Sequence, residues 1–102
     1  MLEDAHHLIA ELLISHDGAI HGAQQLMIAR ETADELILSV ESAIDEAIGQ
    51  RDDKAIDRAV SLALAAEAAR ADEQRALEQW VRHLERIDEL RSAASRLVAR
   101  LP

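Results

Sequence analysis

Cysteine, tyrosine and phenylalanine are absent from this 102-residue chain, which holds only one tryptophan, one proline and three glycines. Without cysteine there is no disulfide scaffold, no thiol chemistry and no cysteine-ligated zinc site. With so little glycine and proline, a turn-rich β fold lacks the residues its turns require. Long apolar runs are missing too. None approaches the roughly 20 residues of a membrane span, and Glu3 and Asp4 stand where a secretory signal carries Lys or Arg. Positive charge is scarce, 11 Lys and Arg against 20 Asp and Glu for a net charge of -9. Phosphate binding needs clustered cations, so a nucleic-acid partner is not expected. The expectation is a cytoplasmic, all-α protein with no membrane partner.

What is present is a chain that is 49% hydrophobic and 30% charged, long enough for one domain over 1–102. The charge is uneven. Residues 1–50 carry ten acidic side chains against Arg30 alone, whereas residues 51–102 carry ten acidic and ten basic ones. A negative first helix points to a basic protein partner, or to a solvated face that keeps the chain soluble.

The clearest break is Gly49-Gln50-Arg51-Asp52-Asp53, where a glycine follows a periodic segment and an acidic pair can cap what comes next. Before it, Leu2, Ala5, Ile9, Leu12, His16, Ala19 and their continuation to Ile44 and Ala47 keep an unbroken 3,4 spacing. After it, Ile56, Ala59, Ala63, Ala66, Arg70, Glu73, Leu77, Trp80 and their continuation to Val98 and Leu101 do the same. Both are heptad seams. They predict a helix over about 2–48, a turn at 49–53 and a helix over about 54–101.

Folded antiparallel, the helices pair residues whose numbers sum to about 103. Ala47 then meets Ile56, Ile44 meets Ala59, Ala23 meets Trp80 and Ala19 meets Leu84, each small residue opposite a larger one, as dense packing favours. Flanking positions are also often apolar, Leu8, Leu13, Ile20, Met27, Leu36 and Ile48 on the first helix, Val60, Leu62, Val81, Leu90 and Leu97 on the second. So wide a stripe calls for a further partner. A second hairpin, giving a homodimeric, twofold four-helix bundle, is the economical solution. The alternative is a monomeric four-helix bundle with extra turns at Ser15-His16-Asp17-Gly18 and Arg70-Ala71-Asp72.

Four groups of side chains bear on chemistry. His16 in the seam and His83 one turn from its opposite residue, Ile87, are candidate ligands for heme or a divalent metal, since Ser15, Gly18, Ala19 and Gly22 leave room beside them. The competing expectation is that these histidines simply pack against Trp80. Near the N-terminus, Glu3 and His6 have the Glu-x-x-His spacing of carboxylate-bridged di-iron bundles, but the second such motif is missing and a solvated helix end with Asp4, His7 and Glu11 is expected.

A polar layer is the third group. Arg30 faces Glu73, while Arg70 faces Ala33 with Glu31 and Asp34 near enough to neutralise it. A buried ion pair of this kind fixes register, because any slip strands a charge. Two core arginines also resemble the general design of the helical chorismate mutases, which would imply a clamp for a dicarboxylate; Glu41 stands about where that site wants a lysine. Finally, Ser15-His16-Asp17 resembles the phospho-accepting segment of histidine-kinase dimerisation domains, helical hairpins that pair into four-helix bundles. The resemblance covers three residues and implies an exposed imidazole, whereas the heptad pattern turns His16 inward.

With no nucleophile, phosphate loop or complete metal set, the expected function is non-enzymatic: a homodimerising helical-bundle interaction or scaffold protein, of a regularity that natural adaptors and designed bundles share. His7, Ile14, His21 and Ile28 form a further stripe at seven-residue spacing, which reads either as a second contact surface for a higher oligomer or a partner helix or as a drift of the assigned helix face, since 3.6 residues per turn does not match 3.5 over this length.

Overall fold

A computed structural model describes residues 2–102, and it is all-α. Helix α1 (Leu2–Gln50) and helix α2 (Asp53–Ala99) form an antiparallel hairpin. The side chain of Leu2, a seam position by the heptad pattern, lies outside the described residues. Few helix breakers interrupt either helix, and local side-chain pairs reinforce both: His7 with Glu11 at 3.0 Å, and the ion pairs of Arg70 with Glu73 at 2.7 Å, Arg86 with Glu89 at 3.2 Å, and Arg75 with Asp72.

The turn is tighter than the expected 49–53. Gly49 stays helical, and α1 continues to Gln50. Arg51 instead takes the left-handed conformation, φ 53°, and donates its N–H to the Ala47 carbonyl at 2.8 Å. Asp52 then caps α2, its Oδ1 accepting the Ala55 N–H at 2.7 Å. The expected acidic cap is therefore Asp52, and the expected terminal glycine is not used as one.

The residues pack as two compact units, one of Met1–Gln24 with Leu77–Pro102 and one of Gln25–Ala76. Within the turn unit, Gln25–Ala76, the buried side chains are Leu26, Ala33 and Ala43 from α1 and Ala55, Ala66 and Ala69 from α2. Within the terminal unit they are Ser15 and Ala19 from α1 and Ile87 and Leu90 from α2. Most of these are small, and no large side chain among the described residues is fully buried.

These positions correct half of each predicted seam. The row Ala5, Leu12, Ala19, Leu26, Ala33, Val40 and Ala47 faces α2 as expected. Its expected companion row is replaced by the residues one position earlier, Leu8, Ser15, Gly22, Ala29, Leu36 and Ala43. On α2 the row from Ala59 through Ala66 and Trp80 to Ala94 is kept, while Ile56, Ala63, Arg70, Leu77, Leu84, Arg91 and Val98 give way to Ala55, Leu62, Ala69, Ala76, His83, Leu90 and Leu97. Of the displaced rows, Ala23, Ile37 and Leu77 remain half-buried and the others are exposed. The layers built on Ile9, Ile44, Ile56, Leu84 and Val98 therefore do not form as predicted.

Two physical reasons favour the observed face. The predicted rows would bury Arg30, Arg70 and Arg91, and an unpaired or half-paired guanidinium between two helices is costly. The observed rows hold Ser15, Gly22, Ala29, Ala43, Ala55, Ala69 and Ala76, so the backbones approach closely. The consequence is that large apolar side chains end on the outside.

Candidate functional site

In the turn unit, the four groups of the polar layer do meet. Arg30 Nε donates to Glu73 Oε2 at 2.8 Å, Arg70 donates to Glu73 Oε1 at 2.7 Å, and Arg70 donates to Asp34 Oδ1 at 2.8 Å. Asp34 is the neutralising partner expected for Arg70. The setting differs from the expected seam. Side chains of Arg30 and Arg70 are 58% and 43% exposed, and only that of Glu73, on the kept row, is mostly covered, at 14%. The two arginines sit on the displaced row, where long stems carry their heads to a carboxylate between them.

The electrostatics follow from that geometry. Hydrogen bonds first from Arg30 and then from Arg70 hold the Glu73 carboxyl below its ordinary range. Arg70 is pushed up by Glu73 and, less, by Asp34. In the terminal unit Arg86 is raised likewise, by Glu89 and then by Glu11 of α1. Glu11 bridges His7 and Arg86, so one acidic residue of the N-terminal cluster ties α1 to α2. Sequence spacing alone does not indicate this tie, because it needs long side chains from residues well off the pairing rule.

The histidine candidates differ in exposure. His16 is exposed and His83 is half-buried at the helix–helix contact. Glycine explains where the His83 ring goes. A Cβ on Gly18 would come within 2.7 Å of His83 Cε1 and 2.8 Å of its Nδ1, and one on Gly22 would meet Trp80 Cδ1 at 3.5 Å. The opening left by the small residues is filled by His83 and Trp80 themselves. A flat ligand between the imidazoles would have to displace His83 from Gly18. Among the described residues, no group of three His, Asp or Glu side chains is placed to hold a metal ion. The exposure of His16 does remove one obstacle to the phospho-accepting resemblance, although nothing else in its surroundings extends that likeness beyond three residues.

A further feature of the turn unit is an apolar groove of about 370 Å³ lined by Ile44, Ala47 and Ile48 of α1 and Ile56, Ala59 and Val60 of α2, with Arg51 at its edge. The signal for it was in the sequence as flanking isoleucines, but the heptad pattern assigns Ile44 and Ile56 to the hairpin's own seam. Among the described residues no helix is long and apolar enough to cross a membrane. No family model, curated protein or solved structure matches the chain.

Proposed function

We propose that this chain is a non-enzymatic helical-bundle scaffold that works as a homodimer, two hairpins forming a four-helix bundle, with the acidic surface of α1 free to engage a basic protein partner. The observation that carries this is the division of side chains by size. Alanine, glycine and serine supply much of the contact between α1 and α2, while Ile9, Leu13, Ile20, Met27, Ile44, Ile48, Val60 and Leu84 face outward. Isolated bundles seldom expose so many large apolar groups. The surface area supports the same conclusion. The chain exposes 7667 Å², against about 5,700 Å² for a compact monomer of its mass, an excess of about 1,900 Å². Pairing of hairpins would remove that excess from water.

Sedimentation equilibrium from 1 µM to 1 mM tests the proposal. The expected result is a mass that rises to that of two chains, with melting temperature rising over the same concentration range. A single-chain mass throughout would overturn it.

A further inference from the structure

Resting on the basic-partner half of the proposed function, we infer that the apolar groove beside the turn is a docking site for a basic amphipathic helix of another protein. Its two walls are one motif written twice. Glu41-Ser42-Ala43-Ile44-Asp45-Glu46-Ala47-Ile48 in α1 and Asp53-Lys54-Ala55-Ile56-Asp57-Arg58-Ala59-Val60 in α2 match at six of eight positions, counting Glu with Asp and Ile with Val. Both walls therefore have the same build. Ala43 and Ala55 are buried in the helix contact, half-buried Ala47 and Ala59 make the floor, and Ile44, Ile48, Ile56 and Val60, each 45–65% exposed, stand as the sides.

Each side residue has a carboxylate three positions before it, Glu41, Asp45, Asp53 and Asp57 in turn. Residues three apart are neighbours on a helix surface. With the alanines on the inner flank of the side residues, these carboxylates stand on the outer flank and form a rim along each helix. All four are exposed, and none has an ion-pair partner among the described residues. Arg51, the cation that touches the groove, stands at the turn end and leaves both rims acidic. The opposite side of the same helix pair differs, being lined by Ser39, Ser42, Glu46 and Arg58 among others. There the motif departs from its repeat, and Glu46 and Arg58 neutralise each other.

The rims select the occupant. A second copy of this surface would set carboxylate against carboxylate, and nucleic acid or an anionic lipid surface is repelled in the same way. A helix that carries Lys or Arg on both sides of an apolar stripe satisfies every part of the groove at once, its apolar residues at i, i+3 or i+4 and i+7 filling the space over Ala47 and Ala59 while its cations reach both rims. From Ile44 to Arg51 the groove runs about 10 Å, two turns of such a helix. The other outward apolar residues of the chain remain for the second copy.

The probe is a fluorescein-labelled synthetic peptide of about four helical turns, with leucine at i, i+3, i+4 and i+7 and lysine elsewhere, read by fluorescence anisotropy at about 0.15 M ionic strength, where distant charges are screened. Saturable binding of one peptide per chain is expected. Asp45→Asn with Asp57→Asn should weaken it about 10-fold, whereas Glu31→Gln with Glu35→Gln, the same change in net charge on exposed residues of α1 away from the groove, should change it by less than about 2-fold. Ile48→Ser should also weaken it about 10-fold while helicity by circular dichroism persists. If Ile48→Ser loses helicity, the two charge pairs decide. Equal losses from the two charge pairs, or equal binding of a scrambled peptide of the same composition, would reduce the effect to bulk attraction and overturn the inference. Sedimentation equilibrium without peptide separates it from the dimer. A dimer that Ile48→Ser dissociates puts a second copy in the groove and overturns the docking site alone; a monomeric wild type that binds the peptide with the expected dependences overturns the dimer and upholds the docking site.

Discussion

The His83 imidazole rests against the Gly18 backbone so closely that a methyl group there would stand 2.7 Å from Cε1. Glycine inside a helix costs about 1 kcal/mol relative to alanine, so this cost is offset by the ring's place at the contact between α1 and α2. Gly18→Ala should lower stability by about 1 kcal/mol, the overpacking penalty exceeding the gain in helix propensity. In a His83→Ala background the same substitution should stabilise by about 1 kcal/mol. A double-mutant cycle by urea unfolding reads the difference; equal effects in both backgrounds would mean that His83 does not occupy this space.

Gly22 and Gly49 give the opposite sign. A Cβ at Gly22 meets Trp80 at 3.5 Å, ordinary contact, and a Cβ at Gly49 meets nothing within 4 Å. Neither glycine has a positive φ. Gly22→Ala should therefore stabilise by about 1 kcal/mol, and Gly49→Ala by about 0.5 kcal/mol because the last helical turn frays. Thermal melts that fall for either variant would contradict the open geometry at that site.

How much of this was legible in the sequence depends on which residues carry the signal. The all-α hairpin follows from unbroken 3,4 spacing and from the scarcity of breakers. The pairing rule holds as well: Gly18 with His83, Gly22 with Trp80, Arg30 with Glu73, Asp34 with Arg70 and Glu46 with Arg58 have numbers adding to between 101 and 104. The helix face was half wrong, because adjacent rows of one helix compete. A pattern built on Ile9, Ile37, Ile44, Ile56 and Leu84 finds the row with large side chains, whereas helices that approach closely do so along Ser15, Gly22, Ala29, Ala43, Ala55 and Ala69. The arginines in the first row were the clue, since burying Arg30, Arg70 and Arg91 costs more than exposing their apolar neighbours. The small residues beside His16 read either as room for a ligand or as packing space, and at Gly18 and Gly22 the rings of His83 and Trp80 lie against the backbone.

Arg51 is the one residue other than glycine with positive φ among the described residues, and a left-handed conformation costs an L-residue about 1–2 kcal/mol. Glycine adopts it without that strain but loses more chain entropy on folding. Arg51→Gly should accordingly stabilise by about 0.5–1 kcal/mol, and Arg51→Val, with its branched Cβ, should destabilise. Denaturant midpoints that rank the two variants the other way would contradict the observed turn.

Asp52 closes the other side of that turn through its bond to the Ala55 N–H. Removal of the side chain leaves an N-terminal donor of α2 without its carboxylate, and Asp52→Ala should cost about 1 kcal/mol, while Asp52→Asn or Asp52→Ser should recover most of it. Rescue by those two separates capping from a general effect of charge, since neither carries one.

The final prediction concerns pH. Because Arg30 and then Arg70 hold the Glu73 carboxyl below its ordinary value, the folded state takes up its proton at lower pH than the unfolded chain does. The stability linked to Glu73 is therefore fully present above the ordinary glutamate pKa of about 4.3 and is lost as pH falls through the lowered folded value. Glu73→Gln keeps the shape and one acceptor but has no such titration. Its melting temperature should lie below that of the wild type at pH 7, and the two should converge as pH falls below about 4. High salt at pH 7 should narrow the gap as well, given how exposed both arginines are in a single hairpin. Melting curves that stay parallel from pH 7 to pH 2 would mean that the two arginines do not grip Glu73 in solution.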